Sequence, residues 1–94
     1  MENSALVDLG ETLRAIGEDD DATETYRSAL ALAEQTGERY ERARALSGLG
    51  RLSSAAGDRG GARRAWQAAA SFYDALGVPE AAEIHELLAA LDQG

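Results

Sequence analysis

The sequence repeats itself after 40 residues, and this duplication limits the folds that the chain can adopt. The matched residues are all small or apolar: Leu6, Leu9, Gly10, Gly17, Ala22, Tyr26, Ala29, Leu32 and Gly37 return as Leu46, Leu49, Gly50, Gly57, Ala62, Trp66, Ala69, Phe72 and Gly77. Self-similarity at a fixed period is typical of proteins built from stacked supersecondary units. The chain therefore contains one structural unit written twice.

The spacing inside the unit predicts a helical hairpin. Apolar stripes with helical spacing lie before and after Gly17: Leu6, Leu9, Gly10 and Leu13 in the first, and Ala22, Tyr26, Ala29, Leu30 and Ala33 in the second. Gly17 ends the first helix most simply by adopting the left-handed conformation. The small residues allow two helices to approach closely, and an aromatic ring fills the remaining space.

We expect one all-α domain of five helices. The helices are predicted at about residues 3–16, 20–35, 38–56 and 61–76, followed by a last helix that begins at Pro79. Residues 3–37 form the first repeat, residues 38–77 the second, and residues 78–92 a capping helix. Asn3 or Ser4 is the predicted cap of the first helix, and the acidic run from Glu18 to Asp21 caps the second.

Side chains outside the repeat pattern give further expectations. Phe72 is predicted in the core, whereas Tyr73 has no core counterpart in the first repeat and is expected to cover the seam to the last helix. Gly48 lies in the middle of a helix, where glycine costs about 1 kcal/mol, and the repeat does not explain it. In the third helix, Glu41 is expected to pair with Arg44 and Glu38 with Arg42.

The repeated pattern resembles the tetratricopeptide repeat family, which carries Leu-Gly on a first helix and Ala, an aromatic and Ala on a second. The corresponding residues here are Leu6, Leu9, Gly10, Leu13, Ala22, Tyr26 and Ala29, and then Leu46, Leu49, Gly50, Ser53, Ala62, Trp66 and Ala69. The unit exceeds the family's usual length of about 34 residues, and glycine replaces the closing proline. Both features are similar to the extended subclass in C-terminal arrays of large bacterial signalling and transcription-regulating ATPases.

This resemblance implies an α-solenoid whose first helices line a concave groove for a partner peptide or helix. The family's groove positions correspond to Ser4, Val7, Asp8, Glu11, Arg14, Arg44, Ser47, Gly48, Arg51 and Ser54. Two interpretations stay open: the arginines bind carboxylates of an acidic peptide, or they pair with acidic residues inside the groove. The basic clamp with which some members hold chaperone C-termini does not transfer, because Val7, Glu11 and Gly48 occupy its positions.

Composition argues against several other functions. The net charge of -8 disfavours nucleic acid as a direct partner, and no cysteine, no lysine and a single histidine leave little for catalysis. The acidic run lacks the glycine and the final glutamate of a calcium loop. His85 lacks the second histidine that a zinc motif needs, and no lysine follows the glycine-rich turn at 57–61 to hold phosphate. We expect no enzyme activity, no cofactor, no membrane segment and no signal peptide, and a cytoplasmic location.

Self-association is an alternative function. Two repeats and a cap are few for a stacked fold, which usually needs at least three units. An apolar edge of the first helix, formed by Ala5, Leu6, Leu9 and Leu13, is expected to lack a neighbour. Either the chain is the end of a longer array, or this edge pairs with a second copy.

Overall fold

A computed structural model describes residues 2–93 and shows an all-α fold. Its five helices are α1 (Glu2–Ala15), α2 (Asp19–Thr36), α3 (Arg39–Ala55), α4 (Arg59–Leu76) and α5 (Glu80–Gln93). Each helix packs against the next one along the chain, and α1 also packs against α3. Because the connections are two or three residues long, α1–α2 and α3–α4 are antiparallel hairpins. The predicted fold of two hairpins and a C-terminal helix is confirmed.

The helix ends differ from the prediction by one or two residues at most positions. α1 begins at Glu2, so Asn3 and Ser4 lie inside the helix rather than at its cap; the side chain of Asn3 is outside the described part. Glu18 is the N-cap of α2 but makes no side-chain capping hydrogen bond. The acidic run therefore stabilises α2 through the dipole of its first turn, which holds Asp19, Asp20 and Asp21.

The turns repeat with the same 40-residue period as the sequence. Gly17 and Gly57 both have φ of 84°, and the next residue in each case donates its amide to a carbonyl at the end of the preceding helix. These bonds are Glu18 N to Leu13 O at 2.9 Å and Asp58 N to Ser53 O at 2.8 Å. Such six-to-one bonds satisfy carbonyls that the helix end leaves free.

Tyr26 is the centre of the first half of the core. Its side chain is fully buried, with Val7, Ala22, Ala29, Ala45 and Leu52 in the same cluster. Glycines face the ring from two helices: a Cβ atom would lie 2.9 Å from the ring at Gly10 and 2.2 Å from Tyr26 Cζ at Gly48. Gly48 is thereby explained, because α3 needs a glycine there to approach a ring carried by the first unit.

Trp66 is the centre of the second half of the core. A Cβ atom at Gly50 would lie 2.3 Å from Trp66 Nε1, and that nitrogen donates a hydrogen bond to the Ser47 carbonyl at 3.1 Å. The surrounding buried side chains come from α3, α4 and α5: Ala43, Ala62, Ala69, Ala70, Tyr73, Ile84 and Leu91. The hairpin of the second unit thus uses the same glycine-aromatic contact as the first.

The sequence predicted Phe72 as the buried aromatic residue near the end of α4, but that residue is Tyr73. Tyr73 is buried in the core, whereas Phe72 is half-buried and lies under the Arg42 guanidinium, whose central carbon is 4.7 Å from the ring centre. Tyr73 lies seven residues after Trp66, two helical turns along the same face, and Phe72 is displaced from that face. Arg42 also contacts Glu34 at 3.5 Å, and the predicted pair of Arg44 with Glu41 is confirmed at 3.0 Å.

Polar contacts fasten α5 to the second hairpin in addition to its apolar stripe. Arg51 contacts Glu83 at 2.8 Å, Arg63 contacts Asp92 at 2.7 Å, and Arg59 donates a hydrogen bond to the Leu91 carbonyl. Ile84 and Leu91 are buried beneath these contacts, and Leu87 and Leu88 pack at their margin. α5 therefore lies as a fixed wall beside α3 and α4.

Candidate functional site: a groove along the third helix

A groove runs along one face of α3, between α1 and α5. Residues at helical spacing form its floor: Tyr40, Arg44, Ser47, Gly48, Arg51 and Ser54. From Tyr40 to Ser54 a helix rises about 21 Å, so the groove is long enough for six or seven residues of an extended chain. We call its two parts the polar half and the apolar half.

The polar half is a cavity of about 420 Å³ at the start of α3. Charged and phenolic side chains from four helices line it: Glu11, Arg14, Tyr40, Arg44, Arg51, Tyr73, Glu80 and Glu83, with Ser47 and Gly48 at its base. Most of these charges are already paired with each other.

Arg44 is held by three carboxylates. Its Nη2 lies 2.8 Å from Asp8 Oδ1 and 3.2 Å from Glu11 Oε1, and its Nη1 lies 3.0 Å from Glu41 Oε1. Burial alone would lower the pKa of the Arg44 guanidinium, but the three carboxylates outweigh it and raise that pKa above its ordinary value. Asp8 and Glu11 belong to α1 and Arg44 to α3, so this cluster connects the two units across the groove.

Contacts with α5 close the other side of the polar half. Tyr40 donates a hydrogen bond to Glu80, which raises the pKa of the Tyr40 phenol and lowers the pKa of the Glu80 carboxyl. The Tyr40 ring meets the edge of Tyr73 at a centre-to-centre distance of 6.0 Å, and burial raises the pKa of the Tyr73 phenol. Arg51 pairs with Glu83 across the same gap.

Arg14 differs from the other two groove arginines. Its Nε donates a hydrogen bond to the Tyr26 hydroxyl at 3.3 Å, which anchors the side chain to the buried ring. Among the side chains of residues 4–93, no carboxylate lies within ion-pair distance of its guanidinium. Arg14 therefore presents an uncompensated positive charge at the border between the two halves.

The apolar half continues the groove towards the end of α3. Two adjoining hollows of about 250 and 430 Å³ share Ser54, Trp66 and Leu87, and the first also shares Arg14 and Arg51 with the polar half. Ala55, Ala90 and Leu91 complete the apolar lining. Three arginines border this half, namely Arg14, Arg51 and Arg59, and no acidic side chain is among the residues that line its two hollows.

Most of the predicted groove positions lie in this groove. Glu11, Arg14, Arg44, Ser47, Gly48 and Arg51 line the polar half, Ser54 lines the apolar half, and Asp8 reaches it through Arg44. Val7 does not: it is fully buried, because it shares with Gly10 the face of α1 that packs against Tyr26. Ser4 is half-buried on α1 and lines neither half.

The sequence reasoning missed the contribution of α5 to the groove. Glu80, Glu83 and Leu87 were assigned to a capping helix, yet they form one wall, and Tyr40 and Tyr73 were also not assigned to the groove. A signal was present, because Glu80 follows Tyr40 by one 40-residue period. α5 thus begins where the first helix of a third unit would begin.

The groove arginines were predicted either to be free for an acidic peptide or to pair with acidic residues of the groove. Arg44 and Arg51 pair with groove carboxylates, and Arg14 does not. Within residues 2–93, no cluster of three or more metal-binding side chains is present. The described helices include none that combines the length and apolarity required to cross a membrane.

Comparison with known proteins gives no relative from which a function could be transferred. The chain matches no protein-family profile, no curated protein and no solved structure.

Proposed function

We propose that the chain is a tetratricopeptide-like interaction module that binds a segment of a partner protein in the groove along α3. The observation that carries the proposal is the groove itself: α1, α3 and α5 line one depression, in which the Arg14 guanidinium has no carboxylate partner among the side chains of residues 4–93. Concave surfaces of stacked helical repeats commonly serve as extended binding sites.

A protein partner fits this site better than a small molecule or a nucleic acid. The groove is open and elongated rather than a closed pocket, and the net charge of -8 repels a phosphate backbone. The salt bridges across the polar half hold its walls in place before a partner arrives, which lowers the entropic cost of binding. We further propose a cytoplasmic location and a role within a larger bacterial regulator, on the strength of the sequence resemblance and the lack of cysteine.

A photo-crosslinker tests the proposal directly. p-Benzoyl-phenylalanine is incorporated at Ser47, on the groove floor, and separately at Ser71, on the exposed surface of α4. After irradiation in the cells that naturally contain the chain, the Ser47 position should give a discrete adduct with one protein, and the Ser71 position should not. Equal labelling from both positions, or none from Ser47, contradicts the groove as a binding site.

Self-association is a second proposal with its own supporting observation. Leu9 on α1 and Ile16, which directly follows α1, remain 48% and 67% exposed, whereas Leu6 and Leu13 of the predicted edge pack onto the core. Light scattering at tens of micromolar separates the alternatives. A dimer that Leu9→Glu converts to a monomer supports self-association, and a monomeric wild-type chain removes it.

A further inference from the structure

We infer that the groove selects a partner segment in which a large apolar side chain is flanked on both sides by the carboxylates of aspartate or glutamate. This inference rests on the proposed function and assigns the chemistry of its ligand. It follows from the unlike composition of the two halves of the groove.

The apolar half is bordered by positive charge, although the chain as a whole is negatively charged. The whole sequence carries 17 acidic and 9 basic residues. Even so, three of the arginines border the apolar half, and none of its lining residues within the described part of the chain is acidic. Such a local concentration of positive charge in an acidic protein repels basic segments and attracts acidic ones.

The arginines differ in how much of their charge is compensated. Arg51 is paired with Glu83, but Arg14 contacts the neutral Tyr26 hydroxyl and Arg59 contacts the neutral Leu91 carbonyl. Arg14 borders the hollow that adjoins the polar half, and Arg59 borders the other hollow. Within residues 4–93, these two guanidinium groups therefore have no carboxylate partner. They border the two adjoining hollows of the apolar half, and each can bind a carboxylate by two parallel hydrogen bonds.

An apolar side chain of the partner would occupy the space between the arginines. Leu87, Ala90 and Leu91 form one wall of that space and Trp66 forms its base. Between Arg51 and Ala55, the last residue of α3, the helix rises about 6 Å, which corresponds to roughly two steps along an extended chain. One carboxylate before the apolar residue and one after it match this distance.

The polar half offers no equivalent site for the flanking acids. The guanidinium of Arg44 already contacts three carboxylates, and Glu11, Glu80 and Glu83 face the same cavity. An incoming carboxylate would meet these like charges. The selectivity of the groove is therefore set by the apolar half.

The test uses a phage-displayed library of random twelve-residue peptides selected on the purified chain. Enriched peptides should contain Leu, Ile, Met or Phe with Asp or Glu within three residues on each side. One enriched peptide is then synthesised with acetylated and amidated ends and titrated against the chain. Trp66 is the only tryptophan, so its fluorescence reports directly on the apolar half.

Two matched pairs of variants locate the binding. Ala90→Glu places a negative charge in the apolar half, and Ala89→Glu places the same charge on an exposed neighbour. Arg14→Gln removes the free groove cation, and Arg64→Gln removes an exposed cation of α4. Each groove variant should lower the affinity for the peptide by about tenfold or more, the loss expected for one charged hydrogen bond. Each control should bind the peptide as tightly as the wild type does.

The outcomes separate the inference from the proposed function. If the enriched peptides lack the acidic and apolar pattern, the inference is overturned. If those peptides still lose binding when Ser47→Arg fills the groove floor, the groove remains a binding site. Peptides that bind all variants equally overturn both, as does a library from which no peptide is enriched. Thermal melts followed by circular dichroism verify that each variant is folded.

Discussion

Tyr26 and Trp66 occupy the same position in the two units, but their surroundings differ. Tyr26 is enclosed by glycines on two helices, Gly10 of its own unit and Gly48 of the next, and none of its surface is exposed. Trp66 has a glycine on one side only, Gly50 of its own unit. Trp66 also lines the hollows that form the apolar half of the groove.

The helix that follows each unit explains the difference. α3 presents Gly48 to Tyr26, so its backbone comes close and no space is left. α5 has no glycine, and it lines the hollow beside Trp66 with Leu87 and Leu91, which leave that space unfilled. One repeated contact therefore gives a sealed core in the first unit and a lined hollow in the second.

The largest expected effect is that of Gly48→Ala. The new methyl group would lie 2.2 Å from Tyr26 Cζ, and Gly10 blocks the ring from moving away. We expect a loss of about 2–3 kcal/mol in the free energy of unfolding, at the upper end of the usual range for an overfilled core. Urea denaturation followed by circular dichroism measures it.

The control for this variant is Gly60→Ala, in the first turn of α4. A Cβ atom there would meet the flexible end of Arg64 at 3.5 Å and Asp58 Oδ1 at 3.9 Å, both ordinary van der Waals contacts. Its stability should stay within about 0.5 kcal/mol of the wild type, or rise slightly because alanine favours a helix. If Gly48→Ala were as stable as Gly60→Ala, the enclosure of Tyr26 would not matter to the fold.

A smaller effect is expected for Gly50→Ala, although its geometric overlap is nearly the same. The added methyl group would lie 2.3 Å from Trp66 Nε1, but Trp66 borders the hollows of the apolar half, which give the indole space to shift. We expect a loss of about 1–2 kcal/mol, part of it from the hydrogen bond to the Ser47 carbonyl. Equal or greater destabilisation than in Gly48→Ala would contradict the proposed difference between the two aromatic sites.

The second unit should also make the protein sensitive to alkali. Its buried Tyr73 replaces Ala33 of the first unit, and burial raises the pKa of the Tyr73 phenol above its ordinary value. Since the folded state favours the neutral phenol, this stabilisation is complete below about pH 10 and is lost as the pH rises towards the folded pKa. Without lysine or cysteine, tyrosine is the side chain that titrates there.

Urea denaturation at pH 9 and pH 11 measures this loss. The free energy of unfolding should fall by up to ~1.4 kcal/mol per pH unit for each tyrosine that stays neutral only in the folded state. Tyr73→Phe should flatten the pH dependence more than Tyr40→Phe, because Tyr40 is 37% exposed. Identical slopes for the wild type and Tyr73→Phe would exclude Tyr73 as the cause.

The repeat in the sequence was sufficient to predict the two hairpins and the glycine-aromatic contact within each unit, and Pro79 marked the start of the fifth helix. It could not predict Gly48, because that residue packs on the ring of the neighbouring unit and the equivalent position of α1 has no such neighbour. It placed Val7 in the groove because a family position was transferred without regard to the face that Gly10 and Tyr26 require. The pairing of Arg44 and Arg51 depends on the distance between helices, which local spacing does not contain.

The smallest effect concerns the helix caps that follow the two equivalent turns. Asp58 accepts a hydrogen bond from the Gly61 amide at 2.9 Å, whereas Glu18 makes no such bond to the first turn of α2. The carboxylate of Asp58 folds back over Gly61, where a Cβ atom would lie 2.3 Å from it. The first unit has a longer side chain at the cap and Asp21 in place of that glycine.

Alanine substitution at the two caps should therefore have unequal effects. Asp58→Ala should lower the free energy of unfolding by about 1 kcal/mol, and Glu18→Ala by only the few tenths expected from the helix dipole. Gly61→Ala should reproduce part of the Asp58 effect, because its methyl group displaces the capping carboxylate. A Glu18→Ala loss as large as that of Asp58→Ala would mean that the acidic run caps α2 through its side chain after all, and that the two turns are alike in energy as well as in backbone.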